Sequence, residues 1–247
     1  MKPLPHQPKA GFTLVELMVA MTLGLILLTG FFLFHQNALS AVFLADHKNR
    51  INRDIRTVTA EMSNYARMAD QSIIYPSFRE EDRDETTDTV GQSGTGDFLL
   101  LVYRGQLEGP TFQARSPIER LVGYYRWPED PDDPESTGPV WRFIYEVPPE
   151  DAFTVNLEGL IPSDAFAANY GFLDPHEEGE DPPELPEGMY FSRVLELSEG
   201  LARGRLFYNF NNSAVIVNGK IIHGNQNRRV TDTYNFTIAT RSQTNQF

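Results

Sequence analysis

The chain has 247 residues, enough for one modest globular domain plus an anchor and too few for two sizeable domains. Lys and Arg number 21 against 34 Asp and Glu, and the net charge of −13 argues against a broad phosphate-binding face. Cysteine is absent, which excludes disulfides, thiolate chemistry and any Cys-containing zinc site, and the 40% apolar content excludes wholesale disorder.

Residues 1–11, MKPLPHQPKAG, are polar and hold three prolines and two lysines. From Phe12 to Phe34 the sequence is apolar, interrupted by polar side chains only at Thr13, Glu16, Thr22 and Thr29. At a rise of 1.5 Å per residue this run makes about 34 Å of helix, enough for a bilayer core of about 30 Å. Lys2 and Lys9 precede it, which keeps the short end cytoplasmic and sends the remainder outward. A secretory signal peptide is the competing reading. It would be cut after the apolar run, whereas this run is longer than a usual signal core and continues into a charged amphipathic segment without a proline, which favours retention. Glu16 stands out, because a carboxylate buried in lipid without a partner costs several kcal/mol. A cut between Gly11 and Phe12 would create an α-amino group close to that carboxylate, on the same chain or on a neighbouring copy.

The segment GFTLVELMVA, Gly11 to Ala20, resembles the cleavage and methylation signal of type IV pilins and type II secretion pseudopilins. The resemblance covers roughly the first tenth of the chain. It implies that a prepilin peptidase cuts after Gly11 and methylates the new amino terminus at Phe12, and that Glu16 guides assembly. The implied partners are that peptidase, other pilins or pseudopilins, the inner-membrane assembly platform and the lipid bilayer. The implied location is the bacterial inner membrane, crossed once, with the N-terminus cytoplasmic and the C-terminal domain periplasmic or otherwise extracytoplasmic. Many major pilins carry a proline in the second half of the membrane segment; this chain has Gly24 and Gly30 instead. Either glycine weakens the helix by about 1 kcal/mol, or gives a close-contact point between helices.

Beyond Phe34, Leu44, Ile51, Ile55, Val58, Met62, Tyr65 and Ala69 recur at helical spacing and form one apolar stripe. The other faces carry Asp46, Lys48, Arg50, Arg53, Asp54, Arg56 and Glu61. The pattern predicts a helix from about Phe12 to about Ser72, bounded by Pro76, its second half covering a sheet. Strands are predicted over 97–105, 120–127, 140–147, 189–198, 203–210, 213–222 and 233–241, with Asn218-Gly219 marking a tight hairpin turn. Three acidic segments, 80–88, 129–135 and 174–187, hold 18 of the 34 acids and read as exposed loops. The expected layout is a leader over 1–11, a transmembrane and assembly helix over 12–34, its amphipathic continuation over 35–75, and a β-rich extracytoplasmic domain over 76–247. The fold class is α+β: one long N-terminal helix packed against an antiparallel sheet, similar to the pilin fold. Chain length, the Tyr-Tyr-Arg strand and the long strand connections resemble a minor pilin or minor pseudopilin more than a major subunit.

No active site assembles in the sequence. His6, His35, His47, His176 and His223 are dispersed and give no metal-ligand spacing, and there is no phosphate loop or nucleophile elbow. Calcium prefers clustered oxygens, which Asp130, Asp132 and Asp133 or Glu177, Glu178 and Asp181 would offer, although neither run matches an EF-hand and solvated charge is the preferred reading. Arginines interleave with aromatics in YRG, YYRW and WRFIY, but strand alternation sends many of those rings to the core, and no nucleic-acid partner is expected. The expectation is therefore a structural filament subunit, a substrate of the peptidase and not an enzyme, with no catalytic, cofactor or metal site. The alternative is a bitopic membrane protein with an extracytoplasmic sensor or ligand-binding domain.

Overall fold

A computed structural model describes residues 13–83, 86–105, 116–130, 133, 135–153, 157–164, 166, 185–225 and 228–241, with 86, 225 and 228 described by backbone alone. The chain divides into two units, Met1–Asp46 and His47–Phe247. A single helix, α1 (Leu14–Met68), contributes to both. The layout is α+β: this N-terminal helix is followed by strands that all pair antiparallel.

The helix ends at Met68, short of the expected end near Ser72. Residues 71–75 instead form β1 (Gln71–Tyr75), which pairs with β3 from Gln71↔Val102 to Tyr75↔Phe98. The β-branched and aromatic side chains of Ile73, Ile74 and Tyr75 suit a strand, and Pro76 could not have continued the helix. Of the predicted stripe, Ile51, Val58, Met62 and Ala69 are buried, Ile55 and Tyr65 are half-buried and Leu44 is exposed.

The remaining strands are β2 (Thr95–Gly96), β3 (Phe98–Arg104), β4 (Ile118–Arg126), β5 (Gly138–Glu146), β6 (Met189–Gly200), β7 (Phe207–Phe210), β8 (Ala214–Asn225) and β9 (Arg228–Ile238). They run β1-β3-β4-β5-β6-β8 in space, and β2 pairs with β7. Along one edge β8 pairs with β9 from end to end; along the other it meets β7 at 214–217 and β6 at 219–221. β6 and β7 are thus successive segments on the same edge of β8.

Residues 201–206 loop out between them. This excursion is closed by the Ala202↔Arg205 bridge and turns at Arg203 (φ 57°) and Gly204 (φ 80°). Two left-handed residues in sequence make the tight turn that twisted strands favour. Asn218 clamps both ends, its carbonyl accepting Leu201 N–H and its N–H donating to Leu206 O. The predicted hairpin at Asn218-Gly219 therefore does not form; both residues lie inside β8, opposite Asn235 and Tyr234. The glycine serves packing instead of a turn, since a Cβ there would meet the Tyr234 hydroxyl and Leu206.

The central strands are buried on both faces, so β3 reads as an almost unbroken apolar run, FLLLVYR. One face meets the second unit's part of α1: Tyr124 Oη donates to Glu61 Oε1 at 3.1 Å, Tyr103 Oη donates to Tyr65 O at 2.7 Å, and Arg142 pairs with Glu61. The other carries an aromatic core of Tyr75, Phe78, Phe98, Tyr125, Trp141 and Phe143. Phe78 stacks on Tyr125 with centroids 3.9 Å apart, and Phe143 lies over its cross-strand partner Gly123, where any Cβ would enter the ring. Residues 76–83 and 157–162 approach this face. The buried Arg83 ties them together by donating to Phe78 O at 2.8 Å and Pro162 O at 2.7 Å, and burial lowers its pKa.

Asp97, fully buried between β2 and β3, joins the two ends of the sheet. It accepts from Arg126 Nε (3.1 Å) and Nη2 (2.7 Å), from Arg205 Nη1 (3.1 Å) and from Leu206 N–H (3.0 Å). Arg126, equally buried, also donates to Ser136 O and Gly204 O. A buried carboxylate is tolerated only when its lone pairs are filled in this way.

Candidate functional site

Of the residues singled out in the sequence, Gly11 and Phe12 lie outside the described residues, and Glu16 is in the first turn of α1. Its Oε2 accepts Thr13 N–H and Thr13 Oγ1–H, each at 2.9 Å, and Glu16 N–H donates back to Thr13 Oγ1 at 3.3 Å. This is a reciprocal capping box: Thr13 is the cap, and Glu16, three residues on, closes it. The sequence reading missed this role, although Thr-Leu-Val-Glu before an apolar run is its signature. The carboxylate is held at the end of the helix that abuts Phe12.

From Leu17 to Phe34 the first unit's helix is apolar on every side, and Leu14 and Val15 continue that surface toward its start. Large side chains such as Leu14, Met21, Leu27, Phe31 and Phe34 are exposed around its circumference. A helix of this kind lies in lipid or among other apolar helices, because water would be in contact with all of that surface. Its two internal hydroxyls make no further demand on the surroundings: Thr22 donates to Met18 O at 2.7 Å and Thr29 to Leu25 O at 2.8 Å. At Gly24 and Gly30 an added Cβ would meet nothing within 4 Å. It is the one described helix long and apolar enough to cross a membrane.

In the second unit the structure brings together two histidines that the sequence left dispersed. His47 on α1 and His223 on β8 lie with ring centroids 6.2 Å apart, edge to face, and His223 Nε2 is 3.1 Å from Asp54 Oδ2. His47 and Asp54 are seven residues apart on one helix, about 10 Å along its axis, too far to share one ion. His35 instead stacks on Phe31 at 6.2 Å, while His6 and His176 lie outside the described residues. Among the described residues no three His, Asp or Glu side chains are placed to hold a metal. Of the calcium candidates, Asp132, Glu177, Glu178 and Asp181 lie outside the described residues. Asp133 Oδ1 accepts Glu135 N–H at 2.9 Å, and the Asp130 backbone N–H and carbonyl both bond the Ser136 hydroxyl.

The interleaved arginines and aromatics have structural positions. Tyr124, Tyr125, Trp141 and Phe143 are buried, Arg126 holds Asp97, Arg142 holds Glu61, and Arg120 Nε meets Glu146 Oε1 at 2.7 Å.

No curated protein and no solved structure matches this chain. One family model does, described as the prokaryotic N-terminal methylation motif, over residues 7–32. That span holds Gly11, Phe12, the Thr13–Glu16 capping box and most of the all-apolar helix. The chain is a membrane-anchored protein whose residues 7–32 are the N-terminal methylation signal of type IV pilins and pseudopilins.

Proposed function

We propose that this protein is a structural minor pilin or pseudopilin, clipped by a prepilin peptidase between Gly11 and Phe12, methylated at Phe12, and built through its N-terminal helix into a pilus or secretion pseudopilus. It is a substrate of that peptidase and has no enzymatic role. Its helix crosses the bacterial inner membrane once, with 1–11 on the cytoplasmic side and the β-rich domain outside. The observation that carries the reading is the capping box at the start of the apolar helix. It turns the Glu16 carboxylate toward the end of the helix where cleavage would create an amine at Phe12. An amine and a carboxylate paired there neutralise each other in a low-dielectric setting, and when the amine belongs to a neighbouring subunit the pair fixes axial register.

Two substitutions separate that role from capping alone. Glu16→Gln retains a side chain able to close the box but removes the charge, whereas Glu16→Ala removes both. Both variants are expected to insert in the membrane normally, because insertion needs only apolarity. Both should lose crosslinking to partner pilins. Normal crosslinking of Glu16→Gln would show that the carboxylate only caps the helix and would remove the assembly role.

A further inference from the structure

We propose that the solvent face of the second unit's part of α1 is a basic docking ridge that takes the acidic surface of a second copy of this chain. The segment 47–68 reverses the charge balance of the whole: it holds five of the 21 Lys and Arg and only two of the 34 Asp and Glu. Both acids are turned toward the sheet and engaged there. Asp54 Oδ2 is 3.1 Å from His223 Nε2, and Glu61 pairs with Arg142.

Arg53, Arg56 and Arg67 stand on the other side. At about 100° per residue they fall within about 60° of one another and face away from the buried Ile51, Val58 and Met62. All three are exposed, and among the described residues none of them pairs with an acid. They span about 21 Å of helix. The exposed residues between them on that line, Ala60 and Asn64, are short, so nothing bulky stands over the ridge. Exposed arginines without a counter-charge add nothing to the stability of their own domain.

Charge identifies the occupant. All but two of the 34 acids lie outside 47–68, and the net charge is −13, so the rest of each copy presents a negative surface. Glu81, Glu129, Asp133 and Glu135 are among its exposed members. Two such bodies repel one another except where this ridge meets that surface. The ridge and its counterpart are different patches, so the contact is heterologous, and the second copy keeps its own ridge free for a third. Growth of that open-ended kind is what a filament requires, and the inference rests on the filament reading for bringing copies side by side.

The test is sedimentation velocity of the full chain in nonionic detergent micelles at low and high NaCl, because the two ways of holding copies together respond to salt with opposite signs. Copies held by the ridge separate as salt rises, with association weakening by roughly tenfold between about 0.05 and 0.5 M. Copies held by the apolar helix alone, against net repulsion, associate more strongly as salt screens that repulsion. The triple variant Arg53→Gln, Arg56→Gln, Arg67→Gln should associate roughly tenfold more weakly than the wild type at low salt and lose the salt-induced weakening. Wild-type association that is absent, indifferent to salt or strengthened by it, or that is matched by the variant, overturns the ridge. The wild-type salt response decides alone if the variant folds poorly. Removal of 1–11 and methylation of Phe12 are read separately by mass, so a failed ridge with processing intact refutes the ridge and leaves the filament reading standing.

Discussion

Asp97 has four donors aimed at its two carboxylate oxygens and no exposure to water. Replacing it with Ala leaves the buried Arg126 guanidinium without its counter-charge, and breaking a buried pair from one side costs roughly 3–5 kcal/mol. Asp97→Ala is therefore expected to lower the denaturant midpoint sharply or abolish folding. Asp97→Ala with Arg126→Met should recover part of the loss, because the one charge left without its carboxylate, on Arg205, is partly exposed to water. Chemical denaturation of the four members of that cycle measures it. This network was illegible in the sequence, where Asp97 and Arg126 read as strand-end residues 29 positions apart; only the looping-out of 201–206 brings Arg205 to them as well. The Thr13–Glu16 box was legible by spacing, yet the unusual acid in an apolar run drew the reading toward intermolecular pairing first.

Elements were easier to place than their ends and partners. Six of the seven predicted strands overlap the observed ones closely, because aromatic and β-branched runs bounded by Gly, Pro and acids suit a pleated surface. The failures share a cause: a local signal overridden by tertiary packing. Asn218-Gly219 looks like a turn, but the sheet needs a residue without a side chain where Tyr234 crosses β8 to reach Ser198 Oγ at 2.9 Å. Gly219→Val should displace that ring and cost about 2 kcal/mol or more, whereas Asn218→Ala, which keeps both backbone clamps, should be far milder. Thermal melts of the two variants decide between a packing glycine and a turn glycine, since a turn would require both residues. β1 was missed because the predicted helix ran on to about Ser72, into residues that instead form the strand through pairing with β3.

At the scale of the whole molecule, the α+β layout follows from one change of period, 3.6 residues in α1 and 2 in the later strands. Burial of both sheet faces was not legible, since 76–83 overlaps a segment that read as an exposed acidic loop and 157–162 carried no prediction. That burial has a measurable consequence. Desolvation raises the pKa of Tyr75, Tyr103, Tyr124, Tyr125 and Tyr234 above the ordinary value of 10.0, Tyr234 to about 12. Groups whose folded pKa is raised contribute stability that is full below the unfolded value and disappears as pH climbs toward the folded one. The second unit should hold its stability up to about pH 10 and lose it cooperatively above, with tyrosinate absorbance and loss of β-sheet circular dichroism rising together. Tyrosinate appearing near pH 10 for all ten tyrosines with the fold intact would contradict a doubly covered sheet.

The central claim concerns covalent structure, so intact-protein mass spectrometry of the membrane form from its native host tests it most directly. The account predicts a chain lacking residues 1–11 and carrying one methyl group on the amino terminus of Phe12. A mature membrane protein that retains Met1 to Gly11, or one that begins at Phe12 without the methyl group, would contradict it.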